Sequence, residues 1–171
     1  DIRSNIRCTL QSTLRLCSKA RDAEEVMSAV ATAPEAFDLF TLAMAVAEEF
    51  RSGEPSGNIT VEGDDVQIIS HEQAVRQILH ELVETAVKHS DNDAPIVHIT
   101  VREQNDSTEI VVADNGPGIP DLEQGALSDG KETQLKHGTG IGLWFVNWAV
   151  TQLGGELEFD KNDAKGCMVT I

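Results

Sequence analysis

Apolar residues recur every three or four positions along the first fifty residues, which is the spacing of amphipathic helices. This spacing predicts helices over residues 2–20, 24–33 and 37–50. In the first of them the apolar positions are Ile2, Ile6, Leu10, Leu14 and Cys17. The residues that follow, 51–58, read RSGEPSGN and have the composition of a linker. We therefore divide the chain into a helical segment, residues 1–52, and a second domain, residues 53–171.

The second domain alternates between the twofold period of strands and the helical period. Strands are predicted at 59–61, 66–69, 96–102, 109–113, 156–159 and 167–171, and helices at 70–89 and 140–153. Ser70 and Gln73 form a predicted capping box for the first helix, and Gly154 with Gly155 predicts a left-handed end of the second. The strands come in hairpin-connected pairs with helices between the pairs. We therefore predict an α/β (α+β) fold, a two-layer sandwich of a mixed, largely antiparallel sheet with helices on one face.

Acidic residues outnumber basic ones by 29 to 13, so the 171 residues carry a net charge of −16. A nucleic-acid binder needs a basic face, so that class of function is excluded. The longest apolar run, residues 39–47, is shorter than the ~20 residues of a membrane span, and no signal peptide is visible. We expect Cys8, Cys17 and Cys167 to be free thiols in a reducing cytoplasm. The first residue is not Met, so we expect a piece of a longer protein, with any membrane attachment outside it.

One predicted helix carries a polar face suited to chemistry. Glu81, Thr85 and Lys88 recur at i, i+4 and i+7 and so share one face of the helix over residues 70–89. Another face is the apolar stripe of Val75, Ile78, Leu79, Leu82 and Ala86. One face can therefore enter the core while the other binds a ligand. The alternative is that the polar face meets water, with Glu84 and Lys88 as an exposed ion pair.

The segment DNGPGIP, residues 114–120, follows directly after an apolar strand. Asp114 places a carboxylate at the end of that strand, where it can recognise an exocyclic amino group, and Gly116 and Gly118 let the backbone approach a flat ligand. An ordinary turn rich in Asp, Asn, Gly and Pro is the alternative. The whole stretch 114–137 is long and polar, and a loop of this length inside a compact domain is usually functional.

A third segment, GTGIGL at residues 138–143, opens the last predicted helix. Gly138, Gly140 and Gly142 leave backbone N–H groups accessible at the helix N-terminus, where the helix dipole favours phosphate. The segment is not a Walker A loop, because no Gly-Lys-Ser/Thr follows, and it is not a dinucleotide motif, because a loop rather than a strand precedes it. A flexible hinge is the alternative.

In this order and spacing, the three segments resemble the GHKL ATPases, and within them the catalytic ATP-binding domain of sensor histidine kinases. The N box corresponds to QILHELVETAVKHS at residues 77–90, and the two glycine boxes correspond to DNGPGIP and HGTGIGLWFV. The resemblance covers residues 58–171 and implies a Bergerat fold. The sequence from residue 130 to GGELEF looks much like histidine kinases of salt-loving archaea, and together with the charge of −16 it predicts a halophilic source.

The resemblance implies ATP and Mg²⁺ as cofactors and assigns roles by position. Asp114 would bind the adenine amino group. The base pocket would be shaped by Gly116, Gly118 and Ile119, and the phosphates or ribose would be faced by Lys88 and His89. The second glycine box would cradle the phosphates with His137, Gly138, Thr139, Gly140, Ile141, Gly142 and Leu143. The resemblance also implies a mobile lid over the nucleotide, here roughly residues 120–137, and its Lys131 or Lys136 would close over the phosphates.

One position departs from the family pattern. The N box normally has Asn where this chain has Thr85, and that Asn holds Mg²⁺, for which a Thr hydroxyl is a poorer ligand. Glu81 occupies the place where hydrolytic members of the superfamily keep a water-activating glutamate. It would act as a general base or as a Mg²⁺ ligand that compensates for Thr85. The catalytic candidates are therefore Glu81 and Lys88, and the metal candidates are Glu81 and Thr85.

We therefore predict a protein-histidine kinase domain that transfers the γ-phosphate of ATP to a histidine, from which a response-regulator receiver domain would take it. None of the five histidines has an acceptor-like context, so the chain would lack its own acceptor. The first five residues, DIRSN, resemble those that follow the acceptor, so residues 1–52 would include a truncated dimerisation element of a homodimer. The alternatives are a hydrolytic GHKL ATPase or anti-sigma serine kinase, and a degenerate, non-catalytic interaction module.

Overall fold

The computed structural model describes residues 2–53, 57–88, 90, 94–104, 107–118, 140–161 and 166–171. In chain order the elements are α1 (Ile2–Val30), β1 (Glu35–Asp38), α2 (Leu39–Ser52), β2 (Asn58–Gly63), β3 (Gln67–Ser70), α3 (Glu72–Lys88), β4 (Ile96–Gln104), β5 (Ser107–Asp114), α4 (Gly140–Gln152), β6 (Glu158–Lys161) and β7 (Cys167–Thr170). No helix in these ranges combines the length and apolarity of a membrane-spanning segment.

The helices of the first fifty residues differ from the predicted ones in two ways. The helices predicted at 2–20 and 24–33 are one continuous helix, α1, because the intervening Arg-Asp-Ala contains neither Gly nor Pro to end it. The helix predicted from residue 37 begins at Leu39, because Phe37 lies in β1. Asp38 caps this helix by accepting a 2.6 Å hydrogen bond from the Thr41 N–H. Hydrogen bonds from the side chain of Thr41 and from its backbone N–H lower the pKa of Asp38.

Five strands form the main sheet in the order β2-β4-β5-β7-β6. The β2–β4 pair is parallel and the other pairs are antiparallel, so the predicted mixed, largely antiparallel sheet is confirmed. The predicted hairpin between β2 and β3 is wrong. Strand β3 pairs with β1 in a separate two-stranded sheet, and α3 carries the chain from β2 to its parallel neighbour β4.

One face of the main sheet is covered by helices. In β4, Val97, Ile99 and Val101 are fully buried, whereas the residues that alternate with them are exposed or partly exposed. The buried face joins apolar side chains of α2, α3 and α4 in one core, in which Leu39, Leu79 and Phe145 are among the largest fully buried residues. The predicted layer of helices on one face is therefore confirmed.

The two helix-end predictions have different outcomes. The capping box at Ser70 is wrong, because Ser70 ends β3 and α3 begins at Glu72. The left-handed end of α4 is confirmed by Gly154, which has a φ of 78°. The Gly155 N–H donates to the Val150 carbonyl at 3.1 Å and the Gly154 N–H to the Thr151 carbonyl at 3.1 Å, which is the Schellman pattern.

Candidate functional site

The first turn of α4 packs against the polar face of α3 at Gly142. A Cβ atom on Gly142 would lie 2.2 Å from Glu81 Oε1 and 3.4 Å from Thr85 Oγ1, so only glycine permits this approach without displacing Glu81. Leu143, the next residue, is buried in the core. The structure therefore brings together Glu81, Thr85 and the second glycine segment, three features that the sequence predicted to share a site.

Glu81 is the buried charged residue of the described chain, with 5% of its surface exposed. Its Oε2 accepts from Lys19 Nζ of α1, and Lys19 also donates to Asp22 Oδ2 at 3.0 Å. The Lys19 ammonium lies 5.7 Å from the ring centroid of Phe145. Burial lowers the pKa of Lys19, but the bonds to the two carboxylates and their charges outweigh it, so the pKa is raised. The Glu81 carboxylate thus has a cation partner from outside α3 and α4.

Sequence reasoning did not identify Lys19. The sequence does contain a signal for Lys19. It lies one helical turn before Ala23, and the spacing of Lys19, Ala23, Val26 and Val30 places them on one face of the helix. Val26 is fully buried, and Ala23 and Val30 pack against the core. A lysine on a face that otherwise enters the core requires a buried or partly buried partner.

Asp114 ends β5 with its carboxylate fixed by two backbone groups. Asp114 Oδ1 accepts from the N–H of Gly116 at 2.7 Å and from the N–H of Cys167 at 3.2 Å. Burial, with the charges of Asp114 and Asp160, raises the pKa of the Cys167 thiol to about 12. Cys167 is a buried free thiol and Cys17 an exposed one, as predicted. Strand β7 therefore helps to orient the carboxylate that the sequence predicted to recognise a base.

Asn115 connects the end of β5 to the start of β4, a role that sequence reasoning missed. The Ile96 N–H donates to Asn115 Oδ1 at 3.0 Å, and the Asn115 N–H donates to the Ile96 carbonyl at 3.2 Å. Ser90 Oγ, two residues beyond α3, lies 3.5 Å from Asn115 Oδ1. An Asn directly after a strand is a signal for such a turn. Asn115 thereby brings the first glycine segment close to the end of the N box.

Lys88 forms an ion pair with Glu84, as predicted by the alternative in which the polar face of this helix meets water. Its Nζ lies 2.6 Å from Glu84 Oε1, one turn back on the exposed side of α3. Burial raises the pKa of Glu84, but the hydrogen bond and charge of Lys88 outweigh it, so the pKa is lowered. The predicted role of Lys88 at the phosphates stays a prediction.

The remaining predicted site residues are described only in part. Gly116 is buried, and Gly118 is partly exposed with a φ of 80°. Gly140 is the first residue of α4, as predicted. The predictions on His89, Ile119, Lys131, Lys136, His137, Gly138 and Thr139, and on the side chain of Ile141, lie outside the described residues.

The metal candidates do not fit Mg²⁺ in this arrangement. One oxygen of Glu81 is bound to the Lys19 ammonium and the other packs against Gly142, which leaves the Thr85 hydroxyl as a weak neutral ligand. Within the described ranges, no three His, Cys, Asp or Glu side chains are grouped to hold a metal ion. A cation is present at Glu81, but it is the ammonium of a lysine.

Comparison with known proteins identifies the class. Residues 70–171 match the family of histidine kinase-, DNA gyrase B- and HSP90-like ATPases. This match spans more than half of the chain, which therefore belongs to that family. The predicted assignment to the ATP-binding catalytic domains of histidine kinases is confirmed.

Two of the similar proteins are kinases by name. The adaptive-response sensory kinase SasA of Rippkaea orientalis is 25% identical over 139 residues, which cover 75% of this chain and 36% of the relative. Sporulation kinase B of Bacillus subtilis is 24% identical over 140 residues, which cover 80% of this chain and 33% of the relative. The chain thus spans about a third of the length of these two relatives.

A solved structure confirms the fold. Full-length ShkA in complex with AMPPNP superposes with a TM-score of 0.71 at 24% identity, covering 98% of this chain and 37% of that one. At this identity the likeness establishes the fold alone. It extends over α1, which lies outside the residues matched to the ATPase family.

Proposed function

We propose that the protein binds ATP between the N-terminus of α4 and the polar face of α3 and transfers the γ-phosphate to a histidine in two-component signalling. The contact of Gly142 with Glu81 and Thr85 carries this proposal. The contact supports the proposal because Gly142 belongs to the first turn of α4, and a helix N-terminus favours phosphate. Phosphoryl transfer depends mainly on positioning and charge neutralisation, which such a site can supply.

The proposed residue roles follow the order of the motifs. Asp114, held in place by two backbone N–H groups, accepts a hydrogen bond from the adenine amino group. The base pocket is completed by Gly116, Gly118 and Ile119, and the ribose or phosphates are faced by Lys88 and His89. The phosphates bind residues 137–143, and Lys136 closes over them. Mg²⁺ belongs to the proposal as the ion that would neutralise phosphate charge, but Glu81 and Thr85 do not fit it while Glu81 is bound to Lys19, so no step of the proposed transfer depends on them as metal ligands.

We also propose the partners. A response-regulator receiver domain receives the phosphate on the cytoplasmic side, where ATP is available. Residues 1–52 include the dimerisation element and residues 53–171 form the ATP-binding domain. The N-terminal half of α1 supports dimerisation with a second copy, because Ile6, Leu10 and Leu14 are 54%, 59% and 69% exposed at four-residue spacing along it.

A second candidate is a non-catalytic interaction module. Thr85 in place of the N-box Asn and the pairing of Glu81 with Lys19 favour it, because both weaken the metal site. The fixed carboxylate of Asp114 favours the kinase, because a module without a ligand does not need this orientation.

Calorimetric titration of ATP into the chain, with and without Mg²⁺, tests the proposed function. We expect binding that strengthens with Mg²⁺, and we expect Asp114→Asn to weaken it about tenfold or more, because a hydrogen bond to a charged group contributes about 1.5–3 kcal/mol and each 1.4 kcal/mol is about a factor of ten. Asp160→Asn is the matched control, since Asp160 is an exposed carboxylate on β6, which β7 separates from β5. Absence of binding by the wild type at high protein concentration would overturn the proposal. Binding that ignores Mg²⁺ would favour the interaction module.

We further propose a halophilic origin, supported by the net charge of −16 and the archaeal-like sequence before and through α4. The screening length falls from about 10 Å at 0.1 M salt to about 3 Å at 1 M, so repulsion among the carboxylates is largely removed. We expect the melting temperature to rise by about 5 °C or more between 0.1 and 1 M KCl, since 1 kcal/mol corresponds to about 2–4 °C. Sucrose is the control, because it favours burial without screening charge. A melting temperature unaffected by KCl would contradict this origin.

A further inference from the structure

We propose that Asn115 is a positioning residue of the nucleotide site, whose side chain fixes the connection after α3 to the first glycine segment. This connection is residues 89–95, of which Ser90 and residues 94–95 are described. The inference rests on the proposed function and deepens it. In that proposal Asp114 recognises the base and the end of α3 faces the ribose or phosphates. Asn115 therefore sets the spacing between the two ends of one ligand without contacting the ligand.

The first support is the place of Asn115 in the main sheet. At this end of β4 and β5 the last paired residues are Val97 and Asp114. One residue further on, the Asn115 N–H donates to the Ile96 carbonyl at 3.2 Å, and Asn115 Oδ1 accepts from the Ile96 N–H at 3.0 Å. The side chain thus takes the place of a backbone carbonyl and extends the pairing to the first residue of β4.

The second support is that both polar atoms of the Asn115 amide are directed at the connection. Asn115 Nδ2 donates to the Ala94 carbonyl at 3.4 Å, and Ser90 Oγ lies 3.5 Å from Asn115 Oδ1. A carboxylate could not make the first of these bonds, because it has no donor. Ser90 comes two residues after Lys88, the last residue of α3. Asn115 therefore contacts the connection both close to α3 and close to β4.

The third support is that the connection has another anchor, on the side of β2, which uses only backbone atoms. The Asn58 N–H donates to the Pro95 carbonyl at 2.8 Å, and Asn58 itself is exposed. The anchor on the side of β5, in contrast, includes the Asn115 side chain. Loss of that side chain therefore weakens the attachment to the first glycine segment and leaves the attachment to β2 in place.

The fourth support is that the Asp114 carboxylate is oriented separately. Its Oδ1 is bound to the N–H groups of Gly116 and Cys167, and neither bond involves the Asn115 side chain. Replacement of Asn115 therefore leaves these two bonds of the base-recognising carboxylate intact while it frees the end of α3. This difference separates a positioning role from a general loss of structure at the site.

Calorimetric titration of ATP into variants of the full chain, in the presence of Mg²⁺, tests the inference. We expect Asn115→Ala to raise the Kd about tenfold, since a misplacement of about 1 Å can cost up to about 100-fold. Asn115→Gln keeps the amide but displaces it by one methylene group, so it should also raise the Kd. Asn58→Ala is the matched control, because it removes an amide beside the same connection but keeps the backbone bond to Pro95. It should bind ATP like the wild type.

Two further measurements separate positioning from direct contact with the ligand and from an effect on Asp114. In the protein without ATP, Asn115→Ala should accelerate hydrogen exchange of the Ile96 amide and leave that of the Cys167 amide unchanged. In the double variant with Asp114→Asn the two factors in Kd should multiply, since independent contributions add as free energies. If Asn115→Ala fails to fold, as judged by circular dichroism, Asn115→Gln decides in each measurement.

The possible failures are distinguishable. Wild-type affinity in folded Asn115→Ala and Asn115→Gln would overturn the inference while the proposed function stands. A higher Kd without faster exchange of the Ile96 amide would also overturn it, because Asn115 would then contact the nucleotide directly. A double variant with the same Kd as Asp114→Asn would overturn it as well, because Asn115 would then act only through Asp114. Absence of ATP binding by the wild type would refute the proposed function, and the inference with it.

Discussion

Replacement of Phe145 by alanine is expected to lower the free energy of unfolding by about 4 kcal/mol, because such a change removes a large buried ring and leaves a cavity. Phe145 is 1% exposed and is among the largest fully buried side chains of the core. Its ring lies 6.1 Å from that of Trp148 and 5.7 Å from the Lys19 ammonium. The change therefore removes packing within α4 and a contact that joins α4 to α1.

Urea unfolding monitored by circular dichroism measures this loss. Trp144→Ala is the matched control, because Trp144 precedes Phe145 on α4 but is 47% exposed. Its stacking on Trp148, with centroids 6.5 Å apart, predicts a loss of about 1 kcal/mol. An equal decrease in the free energy of unfolding in the two variants would mean that Phe145 is not buried in the core.

The layer of helices could be predicted from the sequence because its signals are local. Helix α3 has an apolar stripe at helical spacing, and α4 ends at Gly154, whose left-handed conformation follows from its lack of a Cβ atom. The boundaries were less accurate. Asp38 was not recognised as a cap, since the hydrophobic pattern of α2 can be extended back through Phe37 without interruption.

Strand pairing could not be predicted in the same way, because it depends on residues far apart in sequence. Strand β2 pairs with β4 across the whole of α3, and nothing in the pattern of either strand specifies a parallel neighbour. The nearer strand, β3, pairs with β1. The Leu39 N–H donates to the Val66 carbonyl at 2.9 Å, which holds the residue before β3 against the start of α2.

In the candidate site, too, contacts between the motifs could be predicted, whereas contacts with residues outside them could not. The contact between Gly142 and the pair Glu81 and Thr85 follows from motifs whose order and spacing are specific. The partner of Glu81 is 62 residues away in α1, so no motif contains both residues of the ion pair. The N–H of Cys167 that fixes Asp114 is likewise 53 residues away. The proximity of residues within the motifs could be predicted, whereas the groups that bind and orient them from distant parts of the sequence required the folded chain.

Gly166→Ala is expected to weaken ATP binding about 100-fold and to lower the free energy of unfolding by about 2 kcal/mol, the effects of a misplaced binding group and of overpacking. A Cβ atom at this position would lie 1.8 Å from the Asp114 carbonyl oxygen and 3.0 Å from Asp114 Oδ1. The nearer clash is with backbone, so no side-chain rotation can relieve it. Either β7 or the end of β5 must move, and the Asp114 carboxylate moves with it.

Calorimetry with ATP and urea unfolding separate the two effects of Gly166→Ala. Gly155→Ala is the control, because its Cβ atom would lie 3.1 Å from Val150 Cγ1, a side-chain atom that can yield, and it is remote in sequence from Asp114. We expect it to cost less than about 1 kcal/mol and to leave the Kd unchanged. Asp114 Oδ1 is bound to the N–H of Cys167, the residue after Gly166, so the structure connects this glycine directly to the carboxylate that we propose to recognise the base. Wild-type affinity in a folded Gly166→Ala variant would show that the position of Asp114 is not what determines ATP binding.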